Sequence, residues 1–161
     1  MSISFDSNGI TWPDLTGQLS GAKMGQTVIQ YITARYSSSS TSYVAIGPTI
    51  SITPTSSSSR ILLMAYMSTQ WGGYGYLSFL RTVGGSGTEI TAAFTDSNKA
   101  GIMTYDAASS WGNTKMSFVD SPATTSTISY NIAIKTNGTT FSLNDNGSQN
   151  LTHFIATEIL P

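Results

Sequence analysis

The stretch TSYVAIGPTISITPTSSSSRILLMAYMS, residues 41–68, holds the two patterns that decide the fold. Its first half, SYVAI and TISIT, alternates apolar and hydroxylated residues with period two, as a strand with one dry and one wet face does. Gly47-Pro48 separates these runs, and the tract Ser56–Ser59 marks the next boundary. RILLMAYMS then breaks the alternation. Ile61, Leu63, Ala65 and Met67 fill one face, while Leu62, Met64 and Tyr66 fill the other. An antiparallel sandwich strand normally keeps one face in water. The second face therefore needs cover, either from a neighbouring element or from another subunit. The low charge of the chain, a mark of interface cores, favours the subunit.

Further strand patterns lie on both sides of this segment. QTVIQYITARY (26–36) precedes it. YGYLSFLRTV (74–83), TEITAAF (88–94), GIMTY (101–105), KMSFV (115–119), TISYNIAIK (127–135), TTFSLND (139–145) and NLTHFIATEIL (150–160) follow. TISYNIAIK alternates cleanly, with Ile128, Tyr130, Ile132 and Ile134 on one side. Turn residues lie between nearly all of these runs. Asn137-Gly138 predicts a type I′ hairpin, Gly84–Gly87 reads as a hairpin loop, and Asn146-Gly147 as a tight turn. No helical period holds over a useful window, and DAASSWGNTK has room for one turn at most. About ten short strands with regular turns predict an antiparallel β-sandwich, jelly-roll-like, over residues 24–161.

Composition agrees and excludes several functions. Charged residues are 9% of the chain, the net charge is −1, and about three in ten residues are Ser or Thr. An apolar content of 39% with 11% aromatics is too high for disorder. The scattered Lys and Arg make no nucleic-acid footprint. There is no cysteine and a single histidine, which leaves no sequence basis for a disulfide framework, a zinc site or a cofactor. The start carries no secretory pattern, and the apolar run Ile61–Met67 is far short of the ~20 residues of a membrane helix. Synthesis in a cytoplasm, with no membrane partner, is the expectation.

Residues 1–23 differ from the rest. They are read as a short extended arm, with Phe5, Ile10, Trp12 and Leu15 as apolar residues that have no core of their own. Each large apolar side chain left in water forgoes about 1.5–3 kcal/mol, so the arm is expected to dock on a partner.

Candidate chemistry is sparse. His153 is the sole possible imidazole base, yet it lies inside a strand pattern and reads as structural. The acids are spread through loops without pairing, and Asp96, Asp106 and Asp120 read as turn or cap residues. NDNGSQN (144–150) lacks the length and closing Glu of a calcium loop. QWGGYGYLSF (70–79) sets Trp71, Tyr74 and Tyr76 beside glycines. These rings, with Trp111 of SSWGN, are candidates for stacking on a sugar, against the plainer reading of aromatics packed in the core or between subunits.

One ordered set of motifs goes beyond composition. SSSTSYVAIGPTISITPTSSSSRIL (38–62), FVDSPATTSTISYNIAIK (118–135) and the terminal IATEIL (155–160) together resemble a group of tailed-bacteriophage virion structural proteins, common in cyanophages and marine phages. The resemblance covers about residues 26–161, and the opening SISFDSNGIT is similar as well. It implies a β-sandwich or jelly-roll module assembled as a homotrimer on the virion, and it carries over no catalytic residue. On that basis the expected role is a non-enzymatic capsid decoration, or cement, protein on the virion surface. Its arm would hold the major capsid protein through Phe5, Ile10, Trp12 and Leu15. Its trimer interface would use Leu62, Met64 and Tyr66. The alternative is the receptor-binding head of a tail fibre, meeting host-surface glycan through Trp71, Tyr74, Tyr76 and Trp111. The absence of any shaft-like repeat favours the first.

Overall fold

A computed structural model of the chain describes residues 4–6, 9–11, 23–90, 102–104, 110–144 and 152–161. The strands are β1 (Ser4–Asp6), β2 (Gly9–Thr11), β3 (Met24–Ile32), β4 (Tyr36–Ser38), β5 (Val44–Ile52), β6 (Arg60–Trp71), β7 (Gly75–Val83), β8 (Ser86–Glu89), β9 (Ile102–Thr104), β10 (Ser110–Asp120), β11 (Ile128–Thr136), β12 (Phe141–Leu143) and β13 (Thr152–Ile159). All their pairings are antiparallel. Apart from the β1–β2 pair they form two sheets, so the expected all-β, two-sheet architecture holds. No helix long and apolar enough to cross a membrane occurs among the described residues.

The first sheet is built around β6. Strand β10 runs along one side of it. On the other side β13 covers Arg60–Tyr66 and β12 covers Thr69–Trp71. Strand β3 lies outside β13, and β4 outside β12. The second sheet runs β5–β11–β7–β8, with β9 on β7. The core is where the inward rows of the two sheets meet. Ile61, Leu63 and Ala65 of β6 meet Ile128, Tyr130, Ile132 and Ile134 of β11, all fully buried. Phe79 and Phe154 stack across the gap at 5.6 Å, and Trp71 lies on Phe141 at 4.2 Å.

Three local readings change. SYVAI and TISIT are one strand. Gly47, at φ 78°, absorbs the extra residues as a bulge, and the pairing with β11 jumps between Ile46–Ile132 and Ile50–Tyr130. Asn137-Gly138 does not close a hairpin, because β11 and β12 belong to different sheets. There Asn137 N–H donates to Tyr74 O, and its side-chain oxygen accepts from Thr139 Oγ1 at 2.7 Å, which turns the chain across the sandwich. The two-residue type I′ geometry occurs instead at Gly84-Gly85, with φ 61° and 91° between Val83 and Ser86. The sequence DAASSWGNTK contributes Ser110–Lys115 to β10, with no helical turn there. The NDNGSQN segment beyond Asn144 lies outside the described residues.

The serine tract closes on itself. Ser59 N–H donates to Ser56 O, and Ser58 N–H to Ser56 Oγ. Hydroxyls also pair across the wet face of the second sheet, Ser51 with Ser129 at 3.1 Å and Thr53 with Thr127 at 2.8 Å. Thr and Ser thus do on this surface what charged residues do on most others: they solvate it while fitting the pleat.

Candidate functional site

Among the described residues nothing covers the second face of β6. Residues two apart share a sheet face, and the pairing register lays three rows across β3, β13, β6 and β10. They are Tyr31–His153–Tyr66–Lys115, Ile29–Ile155–Met64–Ser117 and Thr27–Thr157–Leu62–Val119. Four of the large hydrophobics that the chain exposes lie in these rows: Ile29 at 48%, Tyr31 at 56%, Tyr66 at 38% and Val119 at 42%. Met24, also exposed, continues the face beside Ile159. Leu62, Met64 and Ile155 are half-buried by their neighbours alone.

Strand spacing and rise make this patch roughly 20 Å on a side, or ~400 Å². That is about half of one partner's share, ~800 Å², in a standard protein interface. Its composition of tyrosine, methionine and branched aliphatics, with charge at the margin, is that of an interface core. Among the described side chains no carboxylate lies on it. Lys115 sits 5.5 Å from the centre of the Tyr66 ring, and exposed Arg60 marks another edge. Leu62, Met64 and Tyr66 stand together here in consecutive rows. Their companions Ile29, Tyr31, Ile155 and Val119 were not singled out in the sequence, and His153 was read there only as a structural strand residue. A signal existed: VI and YI in β3 and FI in β13 are adjacent apolar pairs, the mark of a strand that is oily on both faces.

His153 lies at the middle of the aromatic row. Tyr31 meets its ring edge-on at 5.6 Å, and Tyr66 lies tilted at 6.2 Å. Its Nδ1 is shut off from solvent and has no hydrogen-bond partner. Among the described residues nothing around it resembles a relay to a nucleophile.

The aromatic loop does not assemble as a sugar platform. Trp71 is 2% exposed, its ring lies on Phe141, and its indole N–H donates to Thr69 Oγ1 at 3.2 Å. A ring enclosed in the core offers no face to a glycan, so Trp71 leaves that list. Tyr74 is exposed, and Tyr76 takes Lys135 at 5.8 Å from its ring centre. Trp111 pairs with Gln70 in the backbone of β10 and β6; its side chain lies outside the description. Phe5 and Ile10 sit opposite each other in the β1–β2 ladder, while Trp12 and Leu15 lie outside the described residues.

Two buried acids hold the frame beneath the face. Glu158, fully buried, accepts from Thr55 N at 2.6 Å, Thr55 Oγ1 at 2.8 Å and Gln26 Nε2 at 3.1 Å; that amide also donates to Thr53 O. Burial pushes its carboxyl up. The nearby Ser59 hydroxyl and the donors from Thr55 and Gln26 outweigh that and hold it down at about 2. The serine-rich loop 53–59 is thereby tied to β13.

Asp120, at the end of β10, is a turn residue in the sequence reading and a bridge between sheets in the structure. Arg81 Nη1 of β7 donates to both its oxygens at 2.8 and 3.0 Å, and Tyr130 OH of β11 donates to Oδ2 at 2.7 Å. Burial, followed by the bond and charge of Asp120, drives the Tyr130 phenol well above its ordinary range. Among the described residues no group of three or more His, Cys, Asp or Glu could hold a metal ion.

No family model matches the chain, and no curated protein does. Among solved structures, a chain from infectious bursal disease virus, Gt strain, aligns with all of this one at 13% identity, with a TM-score of 0.39. A chain from the Gx strain aligns with 98% of it at 13% identity and a TM-score of 0.34. In both cases the alignment spans 42% of the viral chain. Likeness at this level decides neither ancestry nor role.

Proposed function

We propose that this protein is a non-enzymatic structural component of a bacteriophage virion. In this reading it is a homotrimeric decoration protein that sits on the outer surface of the shell and stabilises the major capsid protein. The carrying observation is the uncovered apolar face of the first sheet, centred on Leu62, Met64 and Tyr66. A second copy of the chain is its occupant. An apolar patch of ~400 Å² lies within the range of the largest patch on a typical monomer, where such patches are often functional, and it matches the centre of a subunit contact in size. The motif resemblance over residues 26–161 supports the virion setting and the number three.

Residues 1–23 attach the trimer to the shell in this proposal. Phe5 and Ile10 lie opposite each other in the β1–β2 backbone ladder, and extended segments of this kind can add to an exposed sheet edge. Trp12 and Leu15 follow as further apolar anchors. Three arms on one trimer multiply weak contacts through effective concentration. The test is co-sedimentation with expanded shells. Removal of residues 1–20 is expected to leave a soluble, associated protein that no longer binds. Undiminished binding by the shortened chain would overturn the arm's role. The fibre-head alternative has lost Trp71 to the core, and no specific observation favours it.

A further inference from the structure

We propose that the contact between copies runs head to tail: the β3 margin of the outer face of one copy seats in a hollow at the β10 margin of the next. The inference rests on the reading that three copies cover one another's first sheet. It is carried by the asymmetry of that face, which projects at one margin and is hollow at the other.

A threefold axis gives each copy two neighbours and joins unlike surfaces of successive copies. Each contact therefore joins two different parts of the face. The face has two margins, since among the described residues β3 pairs only with β13 and β10 only with β6. At the β3 margin Ile29 and Tyr31 are exposed. At the β10 margin Met64, Tyr66, Lys115, Met116 and Ser117 line a hollow of about 220 Å³. Aromatic anchors seated in pockets carry much of the energy of protein contacts, and Tyr31 is the anchor for this hollow. Lys115 on its rim lies 5.5 Å from the centre of the Tyr66 ring, and an incoming tyrosine ring can share that cation.

Strand direction agrees. The strands β3, β13, β6 and β10 alternate, so β3 and β10 run opposite ways. Rotation about an axis along the strands preserves direction, so β3 of the next copy lies antiparallel beside β10. The width agrees as well. Four strands and the gap to the next copy span about 19 Å, at about 4.8 Å per strand. Three such faces closed in a triangle lie about 5.5 Å from the axis, close to half of the ~10 Å between packed sheets. Four faces in a square would lie about 9.5 Å from the axis and leave a channel between them.

The chain has no cysteine, so introduced pairs report the contact without interference. Ile29 and Ser117 end one row of the face, and Thr27 and Val119 end the next. Within a chain each pair is three strand gaps, about 14 Å, apart, well beyond the reach of a disulfide. The test is oxidation of Ile29→Cys/Ser117→Cys, and independently of Thr27→Cys/Val119→Cys, after sedimentation of the reduced proteins has measured their association. At least one pair is expected to give a covalent three-chain product, about 51 kDa from three chains of 17.1 kDa, that returns to single chains on reduction. Each single-cysteine variant is expected to stay unlinked. A product that stops at two chains would overturn the head-to-tail contact and leave self-association in place. So would a single-cysteine variant that links to itself, or associated protein that links in neither pair. Wild type and reduced variants that all sediment as single chains would overturn both readings.

Discussion

Replacing Asp120 with alanine removes one carboxylate and strands two donors on the opposite sheet, and the consequences can be worked through. Tyr130 is fully buried, and its hydroxyl donates to Asp120 Oδ2 at 2.7 Å. An orphaned buried donor costs about 1–3 kcal/mol. Arg81 keeps a quarter of its side chain in solvent, so its guanidinium re-solvates and adds at most ~1 kcal/mol. The expected loss for Asp120→Ala is therefore about 1–4 kcal/mol. Tyr130→Phe removes the donor and leaves Asp120 with both Arg81 contacts, at a cost of about 1 kcal/mol. In the double variant the orphan no longer exists, so the combined loss falls short of the sum by ~1 kcal/mol or more. Urea denaturation of the four proteins measures this, with an unchanged slope showing that the unfolded reference is the same. Strict additivity, or an Asp120→Ala loss well under 1 kcal/mol, would refute the claim that this residue bridges the sheets.

Two further outcomes follow from the packing and the buried charge. A Cβ placed on Gly75 would lie 1.4 Å from Cζ3 of the buried Trp71 ring; Gly75→Ala is expected to cost about 3 kcal/mol, the upper end of the overpacking range, read as a large fall in melting temperature or loss of soluble protein. For Glu158, whose folded value is about 2 against an ordinary 4.5, the sign is that of a depressed carboxylate. Its contribution is full above pH 4.5 and is lost as pH falls toward 2. Glu158→Gln is expected to lower stability near neutrality and to flatten that acid limb, and an unchanged acid limb would speak against the network around Thr55 and Gln26.

Sequence periodicity located most strands and the two-sheet class because side chains in a pleated strand alternate whatever the topology is. It did not give the path between strands. Asn137-Gly138 has the composition of a hairpin, but a pairing choice made across the sandwich separated its flanks. Gly47-Pro48 has the composition of a turn, but a bulge let β5 run through it. The oily second face of β6 was legible, and so was its need for cover by a neighbouring element or another subunit. That β3, β13 and β10 would extend it into one patch was not legible, because strand order, unlike strand pattern, is set by long-range pairing. Trp71 shows the limit from the other side. An aromatic between glycines can be read as exposed, and only the close approach of Gly75 and Phe141 shows that those glycines make room for the ring inside the core.

The central claim is that copies of this chain hide one another's outer sheet face. The most direct measurement is the mass of the purified protein in solution near neutral pH, compared with that of Met64→Glu. Three chains of 17.1 kDa give about 51 kDa for wild type. The variant, with a charge in the middle row of the face and the core untouched, is expected to run at 17.1 kDa with its melting temperature nearly unchanged. A wild-type protein that stays at the mass of a single chain at all working concentrations would contradict the account.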